Sequence, residues 1–370
     1  MKEENFWLGF SAFPGVGPLR FKKLLSEFKT AEKAWNAEEP ELKKVLGEVL
    51  TAKFFEFKQN FSVELYAEEL KKRKISFLTL KDKEYPKLLS QIPNPPFVLY
   101  VKALRQAQGK VDLNDYQPTM AVVGTRKITN YGREVTEIFS SELSNSGFTI
   151  VSGLALGVDA RAHQSAIDSK GKTIAVLGCG VDCVTPLENE SLYNSIVKGA
   201  GCVVSEYPLG HPPTLGSFPS RNRIIAGLSL GVLVTEGAED SGALITAEYA
   251  LKFKRPVFAV PGPITSTLSK GPFKLISKGA KLVTSPEDIL SELKMQNSPA
   301  RNASASVAGG KVQTGDKNQD LILKLLENEP LHFDELVRKS GVSSSKLGSI
   351  LSLMEVRGLI KSLDGGYFST

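Results

Sequence analysis

Between Met120 and Gly262 short apolar runs recur along the chain: MAVVG, FTIVSG, TIAVLG, CVVSEY, GVLVTEG and PVFAVPG. Each ends at or near glycine, and none shows the apolar-polar alternation of a strand with one wet face. Continuous short apolar runs are the pattern of strands covered on both sides, as in a parallel sheet. The stretches between them, such as YGREVTEIFSSELSNSG and SGALITAEYALKFK, read as helices. The pattern predicts a doubly wound α/β core of at least six strands.

The flanks read differently. Met1 to Asn60 reads as short helices. Within it, FPGVGPLRFKKLLSEF sets Gly15 and Gly17 in a tight turn before an amphipathic helix with Leu19, Leu24, Leu25 and Phe28 inward. Such a hairpin can offer backbone N–H groups to a phosphate, or it is simply a helical turn capped by glycine and proline. Lys71 to Asp115 reads as a connector with some strand (SFLTL, FVLYV) and a proline cluster at Pro93, Pro95 and Pro96. Ser285-Pro286-Glu287-Asp288 opens a helix with serine as N-cap and proline at N1. QNSPARNASASVAGGKVQTGDK then has no core-forming pattern. Three helices and a hairpin turning at Asp364-Gly365 close the chain as a winged helix. The expected division is a helical domain of SAM or helix-hairpin-helix type (1–66), an α/β domain (67–295), a flexible linker (296–318) and the winged helix (319–370).

Composition narrows the setting. No apolar run approaches the roughly 18 residues that suggest a membrane span. MKEENFWLGF mixes acid, base and glycine and does not read as a signal peptide. The three cysteines, Cys179, Cys183 and Cys202, make a disulfide framework and a zinc site poor readings, so a reducing cytoplasm is expected, with no metal. A net charge of +6 permits a nucleic-acid partner without requiring one. Because no block of the chain is strongly basic, the fold must assemble any phosphate-binding surface.

In an open α/β sheet ligands bind beyond the C-terminal strand ends. There the chain places Gly124-Thr125-Arg126, Ser152-Gly153, a long loop PLGHPPTLGSFPSRNR holding Phe218, Arg221, Asn222 and Arg223, and Ser241-Gly242 at the start of a helix. Glycines let backbone approach a phosphate, helix N-termini attract anions, and arginine adds a fork of donors. No full G-x-G-x-x-G follows the first strand, and none of the G-x-S-x-G, H-E-x-x-H or deaminase patterns occurs. Lys170-Gly171-Lys172-Thr173 resembles a P-loop ending, but Ala166 stands at its leading glycine position. His163 reads as a helix residue packed near the loops, with no nucleophile beside it. The remaining reading is phosphate tracking by arginine with base stacking on Phe218, the way single strands are held without sequence choice. Phe218 as a loop anchor, and Arg221 and Arg223 as ordinary helix residues, stay open. Two arginines at a helix N-terminus oppose its dipole, which favours a nearby anion.

GTRKITNYG, VSGLALGVDARAH, GKTIAVLGCGVD, SEYPLG, FPSRNRIIAGLS, SGALITAEYA and VFAVPG, spread over about 140 residues, resemble in type and order the DNA-processing protein A (DprA/Smf) family. The resemblance implies an extended Rossmann-like core and a non-catalytic, cofactor-free mediator. Such a mediator binds single-stranded DNA, often as a homodimer, and loads the recombinase RecA on incoming DNA during natural transformation. By motif position it implies that Arg126 contacts DNA, Phe218 stacks on a base, Arg221 binds phosphate, and Asn222 and Arg223 shape the pocket. Thr185-Pro186-Leu187-Glu188-Asn189 and Gly271-Pro272-Phe273 depart from the family's usual Tyr-Pro-x-x-Asn and glycine-small-asparagine patterns. Two other classes compete. A nucleotide phosphoribohydrolase would resemble P-G-G-x-G-T-x-x-E, which SGALITAE does not match in spacing. A duplex-binding regulator would need a basic winged helix, and this tail carries slightly more acid than base.

Overall fold

The computed structural model describes residues 2–103, 111–293, 317–326, 330–356, 359–363 and 367–369. The chain divides into two compact units, residues 1–300 and 301–370.

Six helices open the first unit: α1 (Glu3–Ala12), α2 (Pro18–Phe28), α3 (Ala31–Asn36), α4 (Glu39–Leu46), α5 (Glu48–Asn60) and α6 (Val63–Lys72). In α2 the buried positions are Phe21 and Leu24, with Leu25 and Phe28 packed against the core. Leu19, expected inward, is 61% exposed. The stripe at i, i+3, i+4 and i+7 starts at Phe21, and Leu19 lies off it. The supposed connector supplies two strands, β1 (Ile75–Thr79) and β2 (Val98–Lys102), around the short α7 (Lys87–Ser90). These strands pair antiparallel with each other, and β2 pairs antiparallel with the core, so the region belongs to the main sheet.

The six apolar runs form parallel strands: β3 (Thr119–Val123), β4 (Thr149–Ser152), β5 (Thr173–Val176), β6 (Gly201–Ser205), β7 (Val232–Val234) and β8 (Val257–Ala259). Between them run α8 (Asn130–Asn145), α9 (Val158–Asp168), α10 (Glu190–Ser195), α11 (Ser217–Leu228) and α12 (Gly242–Lys252). Then follow α13 (Lys270–Ser277), β9 (Lys281–Leu282) and α14 (Pro286–Glu292). The nine strands stand in the order β1-β2-β6-β5-β4-β3-β7-β8-β9. Connections run outward from β3 to β6 and then jump back across β3 to β7, so the topological switch lies between β3 and β7.

Both faces of the central strands are dry. Met120, Val122 and Ile150 pack with Phe139, Leu143, Val158 and Ala162 of α8 and α9. Ala121, Val123 and Val151 point the other way, to Ile224, Ile225 and Ala247 of α11 and α12. This is the strand period of two with both phases apolar. The N-terminal helices share a core with the sheet: Phe10, Phe21, Trp35 and Phe54 cluster with Ala175, Leu177 and Val203. The P-loop-like segment ends at Thr173, which opens β5 at its N-terminal end, away from the ligand-binding edge. The start of α14 forms as read, with Asp288 accepting from the Ser285 amide at 3.1 Å in a capping box.

The second unit holds α15 (Lys317–Leu326), β10 (Leu331–His332), α16 (Phe333–Ser340), α17 (Ser344–Val356), β11 (Lys361–Leu363) and β12 (Tyr367–Ser369). Its strands order β10-β12-β11 around a core of Ile322, Leu326, Leu336, Leu347, Leu351 and Met354, which is a winged helix. Residues 294–316, most of the expected linker, and the Asp364-Gly365 turn lie outside the described residues.

Phe54 stacks on Phe10 at 5.2 Å between centroids and meets Trp35 edge-on at 5.1 Å. Truncating it is expected to cost about 3–5 kcal/mol. Since this core continues into the sheet, Phe54→Ala should lower the urea midpoint of the whole 1–300 unit. Circular dichroism of the sheet and fluorescence of Trp7 and Trp35 should shift together.

Candidate nucleic-acid interface

The loops that leave β3, β4, β5 and β7 meet at one edge, and their glycines are forced by close approach. A Cβ on Gly124 would stand 2.6 Å from the Glu236 carbonyl, and one on Gly157 would overlap the Thr125 carbonyl. Thr125 is buried; its amide donates to the Glu236 carbonyl at 2.7 Å, and its Oγ1 accepts from the Lys127 amide at 3.1 Å. The loop thereby turns Arg126 and Lys127 outward, where both are exposed. Glu236 ties β7 to α8, accepting from the Thr129 amide at 3.0 Å and the Thr129 hydroxyl at 2.6 Å. Thr129 in turn caps α8 through the Gly132 amide. Glu236 stands in the loop after β7 that leads to Ser241-Gly242, and as an acid two residues beyond a buried strand it carried a usable signal for this tying role.

Helix α11 reaches across all these loops. Its inward stripe is Ser217, Arg221, Ile224, Ile225 and Leu228, so Arg221 is the stripe's first long side chain and lies over the strand ends. Arg221 is expected on the phosphate-binding surface, yet it is 5% exposed. Its Nη1 donates to the Gly153 carbonyl at 2.6 Å and also to the Val176 carbonyl. These carbonyls end β4 and β5, where the ladder leaves acceptors over, and a buried guanidinium fills that need. Gly153 is obligatory here, because a Cβ would overlap the guanidinium. Asp159, buried in the first turn of α9, accepts from the Gly153 amide at 3.1 Å and lies near Arg221. Burial raises its pKa, while Arg221 and the backbone donors pull it down.

Ser152, Gly153 and Arg223 also turn inward rather than facing a ligand. The Ser152 hydroxyl is buried and donates to the Val122 carbonyl at 2.7 Å. Arg223 pairs with Glu206 at 2.5 Å, with side chains 11% and 12% exposed. Burial raises the Glu206 pKa, against the pull of Arg223. Asn222 donates to the Gly242 carbonyl at 3.2 Å, tying α11 to the exposed start of α12, where the Ser241 hydroxyl accepts from the Ala243 amide at 3.4 Å.

Two predicted residues meet at the outer surface. Phe218, half-buried in the first turn of α11, rests against Gly178, whose added Cβ would lie 3.1 Å from the ring. The Arg126 guanidinium lies 5.6 Å from the centroid of that ring. Loops after β3 and β5 and the start of α11 thus bring one cation and one aromatic face together. Arg126's charge also disfavours the charge on Arg221, a repulsion that buried Asp159 partly offsets. An anion arriving from solvent beside Arg126 would relieve that repulsion.

His163 is wholly buried in α9, its Nδ1 2.6 Å from the Thr173 hydroxyl. That hydroxyl spends its proton on the Ile150 carbonyl at 2.7 Å, so Nδ1 carries the imidazole proton. Burial first, and Arg221 second, pull its pKa down to about 3. It is a neutral core residue.

Residues 76–294 match the family described as DNA recombination-mediator protein A, and residues 303–366 match the DprA winged helix domain. The chain is 36% identical to protein Smf of Synechocystis sp., over 98% of each chain. It is 39% identical to protein Smf of Escherichia coli, over 76% of this chain and 74% of that one. Among solved structures it resembles DNA processing protein A from Streptococcus pneumoniae, at 35% identity and a TM-score of 0.68, over 79% of this chain and 99% of that one. It also resembles DNA processing protein A from Helicobacter pylori, described for its single-stranded DNA binding mode. That match has 30% identity and a TM-score of 0.52, covering 60% of this chain and 96% of that one.

The buried imidazole has a consequence for acid stability. The unfolded chain takes up the His163 proton near the ordinary value of about 6.5, the native chain only near 3. Falling pH therefore favours unfolding across that window. Between pH 7 and pH 5 this should remove on the order of 2 kcal/mol of unfolding free energy. His163→Gln should lose less than the wild type over the same interval in urea titrations; equal losses would count against the buried neutral ring.

Proposed function

Because this chain belongs to the DNA recombination-mediator protein A (DprA/Smf) family, we propose that it holds single-stranded DNA along the sheet edge where Arg126 meets Phe218. The single observation that carries the reading is that pairing: an exposed guanidinium over an aromatic ring on a glycine floor. A phosphate draws the arginine and a base stacks on the ring, without any readout of base identity. Gly124 and Thr125 set the direction of Arg126, and Lys127 adds a neighbouring cation. Arg221, Asn222 and Arg223, with Ser152 and Gly153, form an inner tier that fixes the loops, and Ser241-Gly242 opens α12 beside it.

In this reading the protein acts by binding and catalyses nothing, with no metal or cofactor. The neutral, buried His163 supports that, since it offers no accessible general base. Family membership supports the finer steps: a cytoplasmic homodimer that protects incoming single strands and loads RecA during natural transformation. Among the described residues no helix is long and apolar enough to cross a membrane.

Fluorescent oligo-dT titrated at several salt concentrations tests the site. Log affinity against log salt should fall by roughly 0.7 per phosphate neutralised, and Arg126→Ala should flatten that slope by about that amount. Phe218→Ala should weaken binding by about 1–3 kcal/mol with the slope unchanged. Arg221→Ala should instead lower thermal stability by about 3 kcal/mol or more, since it removes the countercharge of buried Asp159 and a donor to two carbonyls. Wild-type affinity and slope in both Arg126→Ala and Phe218→Ala would overturn the assignment.

A further inference from the structure

The long loop between β6 and α11 carries a second aromatic feature. The rings of Tyr207 and His211 lie parallel, 4.5 Å between centroids and 5° between planes. Neither ring is fully covered, and neither belongs to the hydrophobic clusters that hold the described residues together. A surface stack outside any core calls for another reason to be rigid, and this one is pinned on several sides. The Tyr207 amide donates to the Ser205 hydroxyl at 3.0 Å, and the Leu209 amide to the Tyr66 hydroxyl at 2.9 Å. Gly210, in the left-handed region at φ 72°, donates its amide to Asp182 at 3.1 Å. The His211 carbonyl accepts from the Gly180 amide at 3.0 Å.

These anchors also locate the stack. Gly180 is two residues beyond Gly178, the glycine under Phe218. The Tyr207 hydroxyl lies close to the Ser220 side chain, in the same first turn of α11 as Phe218. The residues beyond it, Pro212 to Gly216, are exposed, so this side of the edge is open. A rigid aromatic surface costs no ordering entropy when a base lands on it, which is the property a single-strand track needs.

We propose that the Tyr207–His211 stack is a second base platform, taking a nucleobase of the same strand that places another base on Phe218. The inference rests on the reading of Arg126 and Phe218 as a single-strand site and extends it along the β6–α11 loop. Burial pulls the His211 pKa below its ordinary value, so at neutral pH the ring is uncharged and its contribution is stacking rather than Coulombic attraction.

Oligo-dT binding by full-length His211→Ala, His211→Phe and Phe218→Ala proteins, each checked by thermal melting, tests it. His211→Ala should weaken binding roughly tenfold, the scale of one lost base stack, without changing the salt slope, and His211→Phe should restore it. Oligo-dT containing 5-iodouracil should photocrosslink to the peptide holding Tyr207 and His211 as well as to the one holding Phe218. Loss in Phe218→Ala with none in His211→Ala, and no crosslink at residues 207–211, would overturn the platform while leaving the first site standing. A tenfold loss that His211→Phe does not restore would assign the effect to the loop's shape and also overturn it. No loss in either alanine variant would overturn the underlying site itself.

Discussion

A guanidinium taken out of water at the ends of two parallel strands is tolerable only where acceptors surround it. Arg221 largely meets that condition: the Gly153 carbonyl just past β4 and the last carbonyl of β5 accept from Nη1, and Asp159 sits near enough to offset its charge, while Nε stays buried without a partner among the described residues. The same contacts explain Gly153, which leaves no room for a side chain, and they set the height at which α11 crosses the edge. Phe218 stands one turn earlier on that helix, so its position over Gly178 follows from where Arg221 is held. Through Asn222 and Gly242 the same helix positions the start of α12.

The edge is therefore built in two tiers. The inner one, Ser152, Gly153, Arg221 and the Arg223–Glu206 pair, directs its charges and most of its contacts into the protein, leaving Arg221 Nε and Arg223 Nη1 buried without a partner among the described residues. The outer one, Arg126, Lys127 and Phe218, faces solvent on backbone that the inner tier has made rigid. Donors aimed at backbone cannot read a base, and in the proposed reading the outer groups recognise features that every nucleotide shares. Such an arrangement suits a protein that follows a strand whatever its sequence.

The N-terminal helices join this design through more than their shared core. Tyr66 of α6 accepts from the Leu209 amide, and Arg73, at the end of α6, pairs with Asp182 at 3.2 Å. The first contact braces the loop between β6 and α11 directly, and the second does so through Asp182, which accepts from the Gly210 amide. The strands β1 and β2 were legible in SFLTL and FVLYV, but their place in the main sheet was not, because it rests on antiparallel pairing of β2 with β6, a segment about a hundred residues away. Leu19 was misplaced for a related reason: a single leucine near a helix start fits a stripe until the partner surface selects its phase.

The six central strands, the winged helix, and the motif loops at one sheet edge were legible in the order of residues, because burial on both faces and the punctuation by glycine are local properties of the chain. Arg126 and Phe218 were legible as members of the proposed site, and the structure brings them together. Which arginine faces the solvent was not. Arg126, Arg221 and Arg223 are equivalent in type, and all lie near strand ends. Only the packing of α11 on the sheet turned Arg221 toward two carbonyls, gave Arg223 to Glu206 and left Arg126 over the phenylalanine. Side-chain direction at a strand end depends on acceptors contributed by segments distant in the chain, and those meet only once the tertiary structure has formed.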